Sequence, residues 1–201
     1  MIYDLILASA SPRRKEMFLE HGYHPAIIPS DIEETLPVPM TPSETVMFLS
    51  LKKALDVSGK LEEKGSLTHQ LIIASDTIVF LPGGSLSQAG EVMGKPKDED
   101  DAFRMLSALR NNTHLVISGV CLIDVSAETK MCFSDTTKIT FGDYSDEDLR
   151  AYLRTPEAYD KAGAYAIQGT FEKYVTSING SRLNVIGFPW EKFEKKAAKY
   201  L

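Results

Sequence analysis

The strongest constraint on the fold lies at the start of the chain, where an apolar run leads straight into a helix-start signal. Residues 5–8 are apolar enough for a buried strand. Ser11 is a suitable N-cap, and Pro12 suits the first helical position because its missing N–H would find no partner there anyway. The sequence therefore predicts a strand, a tight turn and a helix over residues 12–21 that ends at Gly22.

Three cations occupy the first turn of that predicted helix, where the partial positive charge of a helix N-terminus normally favours acids. Arg13, Arg14 and Lys15, together with the hydroxyls of Ser9 and Ser11, would form an anion site whose natural occupant is phosphate. A solvated basic turn is the alternative. The residue types alone leave both interpretations open.

Composition limits the partners. The chain has 201 residues, 43% of them hydrophobic, which is enough for a sizeable core. A net charge of −6 argues against a nucleic-acid surface and against an anionic membrane surface, and no apolar run approaches the roughly 20 residues of a membrane span. We therefore expect a small anionic ligand, no nucleic acid and no membrane.

The cysteines and the N-terminus indicate the compartment. Cys121 and Cys132 are too few, and their spacing is too unlike a CxxC motif, to suggest a disulfide framework or a zinc site. The first eleven residues lack a basic region and contain Asp4, so they do not match a signal peptide. We expect a reduced, cytoplasmic protein.

Hydrophobic periodicity and turn residues predict the other elements. Strands and helices mix without strict alternation, so we expect one α/β domain over residues 1–201 with a mixed sheet. The predicted strands are residues 26–29, 71–81, 113–124, 130–141, 164–167 and 173–178. The turn residues Pro82-Gly83-Gly84 end the strand over residues 71–81. Of the other predicted helices, the first covers residues 43–57 and is ended by Ser58-Gly59. The second starts at residues 98–101 and ends at Asn111-Asn112, and the last two cover residues 146–153 and 190–201.

Asp76 is a single carboxylate inside the apolar run 71–80. Burying a charge is costly unless it is paired or bound to a metal. An Asx turn or a bulge at a strand end is the alternative. Because the run is apolar on both sides of Asp76, we favour a functional role.

Other polar residues are ambiguous from the sequence. Lys95, between Gly94 and Pro96 and just before a predicted helix, is suitably placed for a phosphate, although a plain surface turn would look the same. Gln168 could offer an amide to a nucleobase or simply cap a strand. The same ambiguity holds for two groups of charged residues, namely Lys52 and Lys53, and Asp31, Glu33 and Glu34.

Taken together, these segments resemble the Maf family of nucleotide pyrophosphatases. The resemblance rests on seven motifs in order: LASASPRR (7–14), SDIEE (30–34), KA (53–54), ASDTIV (74–79), GKPKD (94–98), DKAGAYAIQG (160–169) and NVIGFP (184–189). It implies an ITPase-like fold with a cleft between two lobes, and cleavage of nucleoside triphosphates to the monophosphate and pyrophosphate with a divalent metal. A homodimer is also what the family suggests.

The resemblance assigns roles to particular residues. Asp76 would be the catalytic base, and Asp76 with Glu34, rather than Glu33, would bind Mg²⁺ or Mn²⁺. The metal is needed because a carboxylate alone is far too weak a base for water, whose pKa is about 15.7. The residues expected to hold the phosphates are Ser9, Arg13, Arg14, Lys53 and Lys95.

Three positions separate two branches of the family. Arg13, Thr77 and Gln168 resemble the dTTP/UTP branch, whereas a 7-methyl-GTP pyrophosphatase would carry tryptophan in place of Arg13. Arg182 departs from the family, which usually has tyrosine there. Two alternatives remain: the 7-methyl-GTP activity, and a non-catalytic nucleotide-binding regulator of cell division, against which the intact charged motifs argue.

Overall fold

The computed structural model describes residues 3–65, 69–83 and 90–201. Within them the chain forms seven strands and six α-helices. The strands are β1 (Asp4–Leu7), β2 (Ala26–Ile27), β3 (Gln70–Leu81), β4 (Glu91–Met93), β5 (Thr113–Asp124), β6 (Thr129–Phe141) and β7 (Val175–Asn179). The helices are α1 (Pro12–Glu20), α2 (Pro42–Glu63), α3 (Glu99–Leu109), α4 (Asp146–Leu153), α5 (Arg182–Ile186) and α6 (Trp190–Ala197), with 3₁₀ turns at Ala162–Ala164 and Thr170–Tyr174.

The strands form one mixed sheet in the order β2-β1-β3-β5-β6-β7, with β4 added to β3. Strand β1 runs parallel to β2 and β3. Strand β4 is antiparallel to β3, and β7 is antiparallel to β6. The prediction of an α/β protein with a mixed sheet is therefore confirmed.

The chain divides into two compact units. The first unit contains Met1–Asp76, Ser118–Asp135 and Gly187–Leu201. One apolar cluster in it joins β1, α2, β3 and β5 through Ile6, Ala54, Ile72 and Cys121. The second unit contains Thr77–Ile117 and Thr136–Ile186. Its core packs α3 and α4 with aromatic residues, among them Phe141, Tyr165 and Phe171.

Helix α1 forms as the sequence predicts, with Ser11 at the N-cap and Pro12 at the first position, and it ends one residue early. The backbone N–H of Ser11 donates to Ser9 Oγ at 3.2 Å. Gly22 follows with a φ of 82°, which glycine adopts without strain. Strand, turn and helix start are thus confirmed at the N-terminus.

Helix α2 begins close to the predicted position, but the prediction of its end is wrong. Thr41 and Glu44 form a capping box at its start. The helix continues through Ser58-Gly59 to Glu63 because Leu61 extends the buried stripe that includes Val57. Burial of a leucine is worth roughly 1.5–3 kcal/mol, more than the roughly 1 kcal/mol that a glycine costs in a helix.

The second unit departs most from the sequence prediction. The strand expected over residues 164–167 is wrong, since the 3₁₀ turn Ala162–Ala164 and a further turn occupy that stretch. Strand β7 begins two residues late because residues 173–174 end a 3₁₀ turn. Strand β4 and helix α5 were not predicted.

At the C-terminus, α6 ends at Ala197 rather than at Leu201. The predicted stop signal at Gly84 lies outside the described residues. Among the residues that the structure describes, no helix has the length and apolar character to cross a membrane.

Candidate functional site

Three charged side chains of the first unit meet in what we call the charge cluster: Glu34, Lys53 and Asp76. Lys53 Nζ lies 2.5 Å from Asp76 Oδ1 and 2.7 Å from Glu34 Oε1. The side chains of Lys53 and Asp76 are only 14% and 11% exposed, whereas that of Glu34 is 58% exposed. The cluster therefore has a buried pair on one side and an accessible carboxylate on the other.

The local fold explains why Asp76 lies there. Strand β3 is buried along most of its length, with Ser75 fully buried and Asp76 8% exposed. Lys53 comes from the middle of α2, next to the buried Ala54. A buried carboxylate without a partner would be strongly destabilising, so Lys53 meets the requirement for a partner that the sequence placed on Asp76.

Close packing fixes the distance between helix α2 and strand β5 of the sheet. A Cβ added to Gly119 in β5 would fall 2.3 Å from the carbonyl oxygen of Val46 in α2, a distance that no real Cβ tolerates. Only glycine lets the strand and the helix backbone approach this closely. Lys53 is consequently carried on a helix whose position leaves little freedom.

Arg14 donates hydrogen bonds to backbone carbonyls around the charge cluster. Its Nε donates to the carbonyl of Gly187 at 2.9 Å, and Nη1 donates to the carbonyl of Ser75 at 2.7 Å and to Ser9 Oγ at 3.3 Å. Burial lowers the pKa of Arg14, and the nearby Asp76 carboxylate opposes that shift. The guanidinium thus holds the residue immediately before Asp76.

The loop that carries Glu34 is tied to α2 by two lysines. Lys52 Nζ donates to the carbonyl of Glu33 at 2.7 Å and to that of Thr35 at 3.4 Å, on both sides of Glu34. Lys60 pairs with Asp31 at 2.7 Å in the same loop. Sequence reasoning left Lys52 undecided, and the structure gives it a positioning contact.

Two further predicted residues flank the cluster in the chain. Arg13 lies in the first turn of α1, is partly buried and repels Arg14 electrostatically. Thr77 directly follows Asp76 in β3, is partly buried and begins the second unit.

In the second unit, the segments that carry Lys95 and Gln168 are joined through the backbone. Lys95 is exposed in a turn after β4, and the N–H of Gly163 donates to the carbonyl of the preceding Gly94 at 3.0 Å. Gly163 has a φ of 70°, and a Cβ there would lie 2.8 Å from Val79. Glycine is therefore required where these two segments meet.

Gln168 is exposed, but the backbone on either side of it is held by side chains. The hydroxyl of Tyr152 accepts from the N–H of Ala166 at 3.2 Å. Arg182 Nη2 donates to the carbonyl of Ile167 at 3.3 Å, and Glu157 accepts from the N–H of Thr170 at 3.0 Å. These contacts, including the one from the unusual Arg182, were not anticipated from the sequence.

A buried histidine, His114, contacts the segment that leads to Gln168. His114 Nε2 and the hydroxyl of Tyr165 are 2.8 Å apart, and His114 is fully buried. Burial lowers the pKa of His114 to about 3, so its ring is neutral at physiological pH. Nothing in the local sequence distinguishes His114 from an ordinary strand residue, which is why it was missed.

The charge cluster offers oxygen ligands to a divalent cation. Because Asp76 Oδ1 and Glu34 Oε1 contact the same ammonium group, the two carboxylates are neighbours. Across the described parts of the chain, no set of three or more His, Cys, Asp or Glu side chains is grouped to hold a metal. One or two carboxylates completed by substrate phosphates and water are the usual protein environment of Mg²⁺, so these residues fit such an ion.

The comparisons with known proteins identify the family. A family model described as Maf-like protein matches residues 4–199, nearly the whole chain. The chain therefore belongs to the Maf family.

Curated relatives extend this match. A dTTP/UTP pyrophosphatase of Caldicellulosiruptor bescii is 42% identical over 185 residues, covering 92% of this chain and 88% of the relative. One of Ruminiclostridium cellulolyticum is 39% identical over 187 residues, covering 92% and 90%. Another, of Clostridium perfringens, is 39% identical over 197 residues, covering 98% and 96%.

Proposed function

We propose that this chain is a nucleoside triphosphate pyrophosphatase that hydrolyses dTTP and UTP to the monophosphate and pyrophosphate. The observation that carries the proposal is the charge cluster, in which a buried carboxylate is held by a lysine beside a second, accessible carboxylate. The relatives named dTTP/UTP pyrophosphatase, which match nearly the full length of the chain, support the same substrates.

In this proposal Asp76 orients the attacking water and accepts its proton, while the α-phosphorus is the point of attack. Lys53 keeps the Asp76 carboxylate in place through its 2.5 Å contact. Arg14 fixes the carbonyl of Ser75 and therefore the backbone position from which Asp76 projects. A carboxylate held at both its backbone and its tip needs little reorganisation during the reaction.

We propose Mg²⁺ or Mn²⁺ as the cofactor, held by Asp76 and Glu34 together with phosphate oxygens. When bound, such an ion makes water more acidic and neutralises charge on the triphosphate. Glu34 suits this role because its side chain is exposed while its backbone is fixed by Lys52.

The phosphates are assigned to basic and hydroxyl groups. Arg13, at the start of α1, and Ser9, whose hydroxyl already meets the Ser11 N–H, form the proposed cradle at the helix start. Arg14 and Lys53 add positive charge next to it. Lys95, exposed in its turn, is proposed as a further phosphate ligand.

Base choice is assigned to Gln168 and Thr77. A thymine or uracil edge presents two carbonyl acceptors and one N–H donor, which an amide side chain and a neighbouring backbone group match. The backbone around Gln168 is fixed by Tyr152, Arg182 and Glu157, so the amide is presented from a rigid turn. A homodimer and a cytoplasmic location remain predictions.

The test is pyrophosphate release from dTTP, UTP, CTP, GTP, ATP and 7-methyl-GTP, each with Mg²⁺ and with Mn²⁺. We expect preferential hydrolysis of dTTP and UTP that is lost in Asp76→Asn. A preference for 7-methyl-GTP would keep the reaction and overturn the substrate, and absence of turnover with every nucleotide would favour a binding protein.

A further inference from the structure

Two cysteines face each other across the hairpin formed by β5 and β6. The strands are neighbours in the sheet and are joined by the four residues 125–128, so the hairpin is antiparallel. Asp124 and Thr129 flank the turn, and at the far end Thr113 Oγ1 and Thr140 Oγ1 are 2.9 Å apart. Both ends give one register, which places Cys121 directly opposite Cys132.

The two thiols contact one another on the same face of the hairpin. The Cys121 thiol interacts with the Cys132 sulfur, and it also donates a weak hydrogen bond to the carbonyl of Leu122 at 4.0 Å. Cys121 is fully buried, whereas Cys132 is exposed. A reagent in solvent can therefore reach the sulfur of Cys132, whereas the sulfur of Cys121 is covered by the protein.

The interaction between the two sulfurs also makes them unequal in reactivity. It lowers the pKa of Cys132, and together with burial it raises the pKa of Cys121. The thiolate is the reactive form, so the exposed member of the pair is the nucleophile. Exposure and ionisation thus select the same sulfur.

Backbone spacing permits a bond between them. Residues directly opposite in an antiparallel pair have Cα atoms about 4.5 to 5.5 Å apart. Disulfides span Cα separations of about 4.4 to 6.8 Å. The hairpin does not have to move its strands apart or together to join the two sulfurs.

We propose that Cys121 and Cys132 are a modification site, at which a hydroperoxide converts the thiol pair into a reversible intrachain disulfide. This inference does not rest on the proposed pyrophosphatase activity. The sequence spacing of the two cysteines argued against a disulfide framework, whereas their register across the sheet places them opposite one another.

The chemistry balances with a hydroperoxide as the oxidant. The Cys132 thiolate attacks the peroxide, the O–O bond breaks, and a sulfenic acid forms while hydroxide or alkoxide leaves. The Cys121 sulfur then attacks the sulfenic sulfur, the S–O bond breaks, and its proton leaves with the oxygen as water. The pair loses two electrons in total, and the peroxide gains them.

Cys121 also connects the pair to the candidate site. It packs in the apolar cluster of the first unit with Ala8, Ala54 and Ala74. Each of these alanines is next in the chain to a residue of the charge cluster or of the Arg14 contacts. Oxidation would therefore take place directly against the layer that supports those side chains.

The experiment treats the full chain with hydrogen peroxide and follows it by intact mass and peptide mapping. The matched variants are Cys132→Ser, which removes the exposed nucleophile, and Cys121→Ala, which removes the buried partner and keeps the cluster apolar. Dithiothreitol is added afterwards to each sample. Circular dichroism before oxidation checks that both variants are folded.

We expect the wild type to lose two hydrogen atoms, to give a cross-linked Cys121–Cys132 peptide and to recover with dithiothreitol. Cys132→Ser should keep Cys121 unmodified, and Cys121→Ala should be oxidised at Cys132 to the sulfinic acid, which dithiothreitol does not reverse. The proposal is overturned if peptide mapping shows wild-type Cys132 oxidised to the sulfinic acid as in Cys121→Ala, both cysteines unmodified, or a disulfide only between separate chains.

Discussion

Lys53 Nζ donates to the carboxylates of both Asp76 and Glu34, at 2.5 and 2.7 Å. A helix, a strand and a loop thus contribute one charge each to a single contact point. The side chains of Lys53 and Asp76 are mostly buried, whereas that of Glu34 is more than half exposed. The lysine therefore holds the inner carboxylate and leaves the outer one accessible.

Replacing Lys53 by methionine leaves Asp76 as a buried charge without its lysine. Breaking one side of a buried ion pair costs about 3 kcal/mol, so the urea midpoint should fall clearly. In an Asp76→Asn background the same change should cost at least about 1 kcal/mol less, since the pair is already gone. Lys195→Met, exposed on α6, is the charge-matched control and should leave stability within about 0.5 kcal/mol. Equal losses for Lys53→Met and Lys195→Met would contradict the pairing.

Lys52→Met should act on the loop of Glu34 and not on the core. Its contacts with the carbonyls of Glu33 and Thr35 are exposed, so stability should change by less than about 1 kcal/mol. Loss of a residue that orients a metal ligand typically weakens metal affinity about 10-fold to 100-fold. We therefore expect a higher Mg²⁺ or Mn²⁺ requirement with kcat nearly restored at saturating metal. A lower kcat with an unchanged metal requirement would count against this role.

Arg14→Lys keeps the positive charge but loses the fork that reaches two carbonyls at once. A single ammonium cannot replace the bonds to Ser75 and Gly187 together. Leaving a buried acceptor without its donor costs about 1–3 kcal/mol, which lowers Tm by about 2–4 °C per kcal/mol in a chain of this size. The comparison variant is Arg13→Lys, on the same helix turn, and its loss should be smaller. Thermal melting of both variants measures the difference, and an equal fall in Tm for both would show that the Arg14 contacts with Ser75 and Gly187 do not stabilise the fold.

The buried His114 should make stability fall in acid. Burial holds its pKa at about 3 in the folded chain, against about 6.5 when unfolded. As the pH falls below about 6.5, His114 binds a proton in the unfolded chain but not in the folded chain. Stability is therefore lost at about 1.4 kcal/mol per pH unit until about pH 3.

His114→Gln removes this titration and keeps an amide that can bond the Tyr165 hydroxyl. Urea unfolding from about pH 7 to about pH 4 should show the variant gaining stability relative to the wild type as the pH falls. The control is His24→Gln, the same exchange at an exposed position, measured over the same pH range. A difference between His114→Gln and the wild type that stays constant with pH would show that the ring is not kept neutral.

The sequence was sufficient wherever a local signal controls the structure. Ser11-Pro12 marks the start of α1, and β5 and β6 form within one residue of their predicted bounds. It failed where a distant contact decides the outcome. Helix α2 continues past Gly59 because Leu61 is buried, and residues 162–164 turn because Gly163 packs against Val79.

The candidate site shows the same limit. The need for a partner at Asp76 follows from the apolar residues around it, but its partner could not be chosen, since Lys52 and Lys53 are neighbours with the same chemistry. Only the structure separates them, because one reaches Asp76 and the other reaches the loop backbone. Likewise, no sequence pattern shows that the Arg14 guanidinium donates to carbonyls far along the chain.

We propose that Asp76 performs the chemistry, and steady-state pyrophosphate release by Asp76→Asn, alongside nucleotide affinity measured by calorimetry, tests this role. Asp124→Asn is the control, since it changes another buried aspartate of the first unit outside the charge cluster. We expect Asp76→Asn to lower kcat for dTTP by at least about 100-fold, the usual scale of a lost general base, while nucleotide affinity stays within a few-fold and Asp124→Asn remains active. Near-normal kcat in a folded Asp76→Asn protein would rule out Asp76 as the base.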